Sequence, residues 1–208
     1  MGPKTAADTI RRALDVAVAT GMLVLGSPVL LVVAISVRLR LGAPVLFRQE
    51  RLGLAGRPFR LVKFRTMRHP KPGREAPEFD AERLTRLGGF LRSTSLDELP
   101  EMWNLLKGDL TLVGPRPLPT TYWNRYRGAE YERFLVKPGI TGLAQVSGRN
   151  TVGWDERLAI DVQYVRSRTL RGDLMILLRT IGVVLRRSGV DQAQGVTMHQ
   201  LPEGRPDV

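Results

Sequence analysis

The longest apolar stretch of the chain runs from Val16 to Val37, 22 residues without a charge. As a straight helix it measures about 33 Å, enough to cross the hydrocarbon core of a bilayer. Pro28 interrupts this run, where it removes a backbone donor and clashes with the preceding turn. We therefore expect a helix that bends at Ser27 and Pro28.

Positive charges flank the apolar run on both sides. Arg11 and Arg12 precede it, and Arg38 and Arg40 follow it. The positive-inside rule places both ends on the cytoplasmic side. A spanning anchor is the simplest alternative, but the proline and the charges together favour a re-entrant hairpin over residues 1–40, which enters and leaves the membrane by one face.

The rest of the chain alternates between extended and helical patterns, which predict one compact domain at 41–187. Short alternating stretches around Gly53, Gly56 and Pro58 predict a β-hairpin within 44–67. A segment rich in proline and charge predicts a surface loop at 68–80. Helices are predicted at 84–92, 96–108, 154–168 and 172–187. The fold class is α+β and mostly helical, and the polar tail at 188–208 is expected to be mobile.

The last predicted helix, 172–187, has an apolar face flanked by arginines. The apolar positions are Leu174, Leu177, Ile181, Val184 and Leu185. This pattern suits a core helix or an amphipathic helix at a membrane surface. The apolar run upstream favours the interfacial helix.

Composition narrows the chemistry. The chain has 32 Lys and Arg against 20 Asp and Glu, a net charge of +12, which favours a partner with phosphate groups, nucleic acid or an acidic membrane surface. It has no cysteine, so a disulfide framework, a thiolate zinc site and a cysteine nucleophile are excluded. His69 and His199 stand apart in a proline-rich stretch and in the tail, and both are expected to be solvated.

Two adjacent carboxylates, Asp97 and Glu98, lie in the segment RSTSLDELPE. Ser95 followed three residues later by Glu98 fits a capping box, and Asp97 in a first helical turn would complement the helix dipole. Capping alone is a complete structural explanation. The alternative is that the two carboxylates are reacting groups.

Candidate phosphate-binding cations occur on segments shaped by glycine and proline. They are Lys63 and Arg65 in KFRTM, Arg92, Arg116 in GPRP, and Arg149 in SGRN. Each one alone is explained as a solvated surface charge. Together they resemble a phosphate cradle, because guanidinium groups match phosphate oxygens in bidentate geometry. A carboxylate pair within such a cradle can bind Mg²⁺ and attack phosphorus to form an acyl-phosphate.

A series of motifs now points to a family. In order they are SPVLLVV, FRQERLG, GRPFRLVKFRTM, LTRLGGFLRSTSLDELPEMWNLLKGDLTLVGPRP, KPGITGLAQVSGRN and DVQYV. Over about residues 10–185 the chain closely resembles the small monotopic phosphoglycosyl transferases, the bacterial sugar transferase family that starts lipid-linked glycan assembly. The resemblance implies transfer of a phosphosugar from a nucleoside diphosphate sugar, such as a UDP-sugar, to polyprenol phosphate, with Mg²⁺ as cofactor, at the cytoplasmic face of the bacterial inner membrane.

The resemblance also implies roles for individual residues. Asp97 would be the nucleophile that carries the phosphosugar covalently, and it would also bind the metal. Glu98 would assist through the metal or by deprotonating the acceptor. The phosphate-binding positions would be Lys63, Arg92, Arg116 and Arg149, and Asp161 in DVQYV matches a further carboxylate of the family's site.

The chain departs from the family pattern before Thr85, where Ala81 and Glu82 replace the usual residues of an Asp-Pro-Arg sequence. Two other classes of protein also fit part of the composition. A nucleic-acid-binding protein would explain the charge, but aromatic residues make up only 6% of the chain and no known binding motif is present. A basic membrane-surface scaffold would explain the apolar run and leave the carboxylates unexplained.

Overall fold

The computed structural model describes residues 5–74, 76, 79–147, 153–185 and 201–203. The helices are α1 (Ala6–Leu25), α2 (Ser27–Leu41), α3 (Asp80–Arg83), α4 (Arg86–Ser93), α5 (Glu101–Lys107), α6 (Leu143–Ser147), α7 (Trp154–Ser167) and α8 (Leu170–Leu185). The strands are β1 (Leu46–Leu52), β2 (Pro58–Phe64), β3 (Thr111–Val113) and β4 (Gly139–Thr141). This is the mostly helical α+β domain with small sheets that the sequence predicted.

The apolar run forms α1 and α2, whose axes are bent by 63° at Gly26. The predicted bend is confirmed, although the break falls just before Ser27 and leaves Pro28 in the first turn of α2, where a missing N–H costs little. The Ser27 hydroxyl donates a 2.8 Å hydrogen bond to the carbonyl of Val24, which Pro28 cannot serve. Among the described helices none is long and apolar enough to cross a membrane alone, but this bent pair passes that test together.

Arginines attach both ends of the bent pair to the rest of the chain. Arg12, near the start of α1, donates hydrogen bonds of 2.7 and 2.6 Å to two carbonyls at the end of α5. Arg65, just after β2, donates to the carbonyls of residues 41–43 at the end of α2. Cations are favourable at helix C-termini, which carry partial negative charge. The start of α1 and the end of α2 therefore both lie against the domain.

The predicted β-hairpin is confirmed. β1 and β2 are antiparallel, with Leu46 opposite Phe64 and Leu52 opposite Pro58. Residues directly opposite in such a pair share one face of the sheet, so Lys63 and its partner Phe47 point the same way. A second sheet, which the sequence did not reveal, pairs β3 with β4 in parallel.

The predicted helix at 96–108 is interrupted. A 3₁₀ turn covers Leu96–Glu98, and α5 begins only after Pro100 and ends at Gly108, whose φ of +88° suits glycine. The capping-box alternative for Ser95 and Glu98 is wrong, because Ser95 adopts a left-handed φ of +57° and its side chain makes no capping hydrogen bond.

The last two predicted helices are confirmed as α7 and α8, and α8 has apolar side chains on two sides. Ile176 is buried against Val113 and Tyr164, whereas Leu174 and Ile181 are exposed. The core alternative thus holds for the face that carries Ile176, and the interfacial alternative stays a prediction for the exposed apolar face.

The C-terminal segment differs from the expected mobile tail at residues 201–203. Leu201 is fully buried in an apolar cluster with Leu52 and Tyr122, and its carbonyl accepts a 2.6 Å hydrogen bond from Arg125. Burial of the Leu201 side chain therefore stabilises the position of this segment, although the surrounding sequence is polar. His69 is exposed, as expected, and His199 lies outside the described residues.

Candidate active site

The two adjacent carboxylates lie on the 3₁₀ turn between α4 and α5. Asp97 is buried, with 8% of its surface exposed, and Glu98 is half-buried. The left-handed Ser95 reverses the chain after α4, and Pro100 then starts α5. The turn therefore directs both acids toward the end of β2.

Lys63 and Arg116 hold the carboxylate of Glu98. Lys63 Nζ lies 2.6 Å from Glu98 Oε1 and 2.9 Å from Glu101 Oε1, and Arg116 Nη2 lies 3.4 Å from Glu98 Oε1. Burial alone would raise the pKa of Glu98, but the charges of Lys63 and Arg116 outweigh it and lower that pKa to about 2. Glu98 is therefore ionised at neutral pH.

The pKa of Asp97 is shifted in the opposite direction from that of Glu98. Burial and the neighbouring charge of Glu98 raise the pKa of Asp97 to about 6, although Lys63 and Arg92 act to lower it. None of the described side chains donates a hydrogen bond to its carboxylate, and the hydrogen bond that helps to lower the pKa comes from the backbone N–H of Asp97 itself. Asp97 thus carries a weakly stabilised negative charge at neutral pH, which is the state of a carboxylate nucleophile.

A close contact between α4 and the end of β2 positions Arg92. Its Nε donates a 3.1 Å hydrogen bond to the hydroxyl of Thr66. α4 starts at a Thr85 cap that accepts from the N–H of Gly88, and a Cβ at Gly88 would lie 1.9 Å from the Thr66 carbonyl. Only glycine at position 88 lets α4 approach so closely.

Asp161 supports Arg116 through a second arginine. Arg133 Nη2 lies 2.9 Å from Asp161 Oδ2, and it also donates a 2.7 Å hydrogen bond to the backbone carbonyl of Arg116. Both charged side chains are buried, at 2% and 6% exposure, and the hydroxyl of Tyr126 accepts from Arg133 as well. Burial raises the pKa of Asp161 even though Arg133 opposes the rise. The pair fixes the backbone that presents Arg116.

The structure brings together most of the residues that the sequence singled out. The cluster contains Asp97, Glu98, Lys63, Arg92 and Arg116. Asp161 joins it through Arg133, whereas Arg65 instead binds the end of α2, and Arg149 lies outside the described residues. The catalytic and phosphate-binding roles of these residues remain predictions.

Three further residues of the cluster were not found from the sequence: Arg51, Glu101 and Arg133. The predicted hairpin could have revealed Arg51. Side chains at every second position of a strand share one face, so Arg51 lies on the same face as Phe47, which pairs with Lys63. Arg133 had no such signal, since only its contacts with Arg116 and Asp161, which are distant in the sequence, place it in the cluster.

The donor chemistry of the cluster fits Mg²⁺. In the described part of the chain, no three acidic or histidine side chains are arranged to hold a metal. Mg²⁺ usually binds one or two protein carboxylates together with water and substrate phosphates, so it does not need such a group. One oxygen of Glu98 and one of Glu101 lie within ion-pairing distance of Lys63, whereas no described cation forms such a pair with Asp97, which makes Asp97 the most accessible ligand by charge.

The chain is similar in sequence to several known proteins. Residues 6–187 match the sequence model of the family described as bacterial sugar transferase. The chain is 43% identical over 188 residues to the uncharacterized sugar transferase EpsL of Bacillus subtilis, covering 90% of this chain and 93% of that protein. It is 42% identical to the UDP-glucose:undecaprenyl-phosphate glucose-1-phosphate transferase of Caulobacter vibrioides, covering 88% of this chain and 72% of the relative. An Escherichia coli protein with the same descriptive name is 39% identical, with 83% of this chain covering 39% of it.

Proposed function

Because the chain belongs to the bacterial sugar transferase family and is a sugar-phosphate transferase, we propose that it transfers a phosphosugar from a UDP-sugar to polyprenol phosphate through a covalent intermediate on Asp97. The printed names of two relatives supply the substrate classes, a UDP-sugar and undecaprenyl phosphate. The observation that carries the intermediate is the buried Asp97 carboxylate, whose pKa is raised while cations surround it.

In the first step, a carboxylate oxygen of Asp97 attacks the phosphorus that bears the sugar. The bond from this phosphorus to the bridging oxygen breaks, and the nucleoside monophosphate leaves with the electron pair. Lys63, Arg92 and Arg116 offset the phosphate charge that would otherwise repel an anionic nucleophile. The product is an acyl-phosphate that carries the sugar.

In the second step, an oxygen of polyprenol phosphate attacks the same phosphorus. The bond between Asp97 and phosphorus breaks, which regenerates the carboxylate and releases polyprenol diphosphosugar. A phosphate dianion can attack without losing a proton. This matters because Glu98, with its lowered pKa, is a poor proton acceptor.

Two roles were open for Glu98, assistance through the metal and deprotonation of the acceptor. Its lowered pKa disfavours deprotonation, and its ion pairs with Lys63 and Arg116 compete with a metal for its oxygens. Its carboxylate bridges Lys63 and Arg116, so it sets the positions of two candidate phosphate-binding cations. When bound, Mg²⁺ would neutralise phosphate charge, and Asp97 is the residue that would hold it.

The bent helix pair would place this chemistry at the membrane. Leu25 and Leu39 are 83% and 79% exposed, and many other apolar side chains of α1 and α2 are exposed, which is costly in water and favourable in lipid. Because the start of α1 and the end of α2 both lie against the domain, we propose a re-entrant pair that dips into the inner membrane from the cytoplasmic face. Polyprenol phosphate has its head group at that interface.

The alternatives of a membrane-surface scaffold and a nucleic-acid-binding protein leave the buried acid–cation cluster unexplained. Intact-mass analysis after incubation with a UDP-sugar alone tests the enzyme hypothesis. We expect the wild type to gain one phosphosugar and release one nucleoside monophosphate, and Asp97→Asn to do neither. Glu50→Gln, at an exposed position of β1, is the control and should behave as wild type. An adduct on the Asp97→Asn protein would refute the assignment of the nucleophile.

A further inference from the structure

Arg51 lies beside the acid–cation cluster without an assigned role. It is on β1 and shares a sheet face with Lys63. A cleft next to the catalytic turn is lined by Arg51, Leu61, Lys63, Glu101, Arg116, Pro117, Gly139 and Ile140. Arg51 therefore faces the same space as two of the candidate phosphate-binding cations.

The guanidinium of Arg51 is oriented but incompletely bonded. Its Nη2 donates a 2.6 Å hydrogen bond to Gln49 Oε1, and its Nη1 donates a longer one, 3.3 Å, to the carbonyl of Pro117. Its Nε is buried and has no hydrogen-bond partner among the described residues. Buried donors in folded proteins are nearly always paired, so an unpaired one needs an explanation. A bound ligand that supplies acceptor oxygens is one.

Charge indicates which ligand. No described carboxylate lies within ion-pairing distance of Arg51. Burial and the nearby charge of Arg116 lower the pKa of Arg51 to about 10, and the charge of Glu101 offsets this only in part. Arg51, Lys63, Arg92 and Arg116 supply four positive charges to this region. The carboxylates of Asp97, Glu98 and Glu101 supply at most three negative ones. An excess of positive charge around the cleft favours an anion in it.

The geometry of the side chain favours phosphate among anions. An arginine fork binds two oxygens of one phosphate, and this requires a fixed guanidinium plane. Gln49 and the Pro117 carbonyl provide that restraint from two sides. The Pro117 carbonyl also follows directly after Arg116, so the two guanidinium groups are held by one short segment.

We propose that Arg51 and Arg116 form a phosphate subsite, with Gln49 orienting Arg51. The identity of the bound phosphate rests on the proposed function. It is either the diphosphate of the nucleotide sugar or the phosphate of the polyprenol. The anion site itself does not depend on the sugar-transfer activity.

The test measures dissociation constants for the full chain in lipid nanodiscs with three probes: UDP, farnesyl phosphate and inorganic pyrophosphate. The variants are Arg51→Gln and the matched control Arg48→Gln, which removes an exposed arginine from the other face of the same strand. We expect Arg51→Gln to weaken pyrophosphate and at least one organic probe tenfold or more, and Arg48→Gln to change none of them. Weaker UDP binding alone assigns the subsite to the donor, and weaker farnesyl phosphate binding alone assigns it to the acceptor.

Unchanged affinity of the folded Arg51→Gln protein for all three probes would overturn the subsite. If that variant does not fold, Arg51→Lys keeps the charge without the fork and should also weaken binding. A protein that binds pyrophosphate through Arg51 but transfers no phosphosugar would refute the proposed function and leave the subsite intact. If Arg51→Gln lowers kcat while its affinity for the three probes is unchanged, Arg51 acts only by positioning Arg116. That result also counts against the subsite.

Discussion

Lys63 Nζ lies 2.6 Å from Glu98 Oε1, so the end of β2 is tied directly to the turn that carries Asp97. The same ammonium lies 2.9 Å from Glu101 Oε1 at the start of α5. Burial opposes the charge of Lys63, but the two carboxylates prevail and raise its pKa. One cation thus connects a strand, the turn that carries Asp97 and a helix.

Replacing this cation should disable the site. In Lys63→Met, Glu98 and Glu101 lose their shared partner, and repulsion between them should displace the turn that holds Asp97. We expect kcat/KM for phosphosugar transfer to fall about 100-fold or more. Lys107→Met is the matched control, because Lys107 is half exposed and, within the described part of the chain, its one ion pair is with Asp109 at the far end of α5. Equal activity of the two variants would contradict the role of Lys63.

The raised pKa of Asp97 predicts a pH dependence. The nucleophile must be ionised, so the rate of nucleotide release with the donor alone should be constant above pH 7 and fall about tenfold per unit below pH 6. Polyprenol phosphate is omitted from the assay because phosphate monoesters also titrate near pH 6. Arg92 lowers the pKa of Asp97, so Arg92→Gln should move the inflection to higher pH.

The control for this shift is Arg86→Gln, which removes an exposed arginine from the same helix. Its inflection should match that of the wild type. An inflection that stays in place in Arg92→Gln would show that Arg92 does not act on the charge of Asp97.

The sequence predicted local features better than long-range ones. Periodicity located the hairpin and helices α7 and α8, since each depends on residues close together in the chain. The break between Ser95 and Glu101 was missed, because the helical preference of that segment is overridden by the contact of Glu98 with Lys63, 35 residues away. Arg133 was missed for the same reason, since only the fold places it between Arg116 and Asp161.

Because α4 packs closely against the end of β2, alanine substitutions at the adjacent Gly88 and Gly89 should have different effects. In Gly88→Ala the new Cβ would lie 1.9 Å from the backbone carbonyl of Thr66, so α4 must move and carry Arg92 with it. We expect a lower melting temperature and at least a tenfold loss of kcat/KM. Gly89→Ala meets nothing within 4 Å, and it should stabilise the protein slightly through the better helix propensity of alanine. Equal effects of the two substitutions would contradict the packing argument.

The buried pair of Asp161 and Arg133 should contribute to both stability and substrate affinity. Asp161→Asn leaves the Arg133 cation without its counter-charge, which typically costs about 3–5 kcal/mol. We expect a lower melting temperature and a raised KM for the UDP-sugar, because the Arg116 carbonyl loses its fixed donor. Arg166→Met breaks an exposed ion pair with Glu132 and should change neither quantity. A double variant, Arg133→Met with Asp161→Leu, should recover stability but not affinity.

The bent pair of α1 and α2 makes the topology testable, because the chain has no native cysteine. Ala6→Cys places a thiol at the start of α1, and Arg48→Cys places one just beyond α2; both positions are exposed. Since Arg12 and Arg65 hold these two ends against one domain, both thiols should be protected from a membrane-impermeant reagent in intact cells and should react after lysis. Labelling of Ala6→Cys in intact cells, with Arg48→Cys still protected, would establish a spanning helix and refute the re-entrant arrangement.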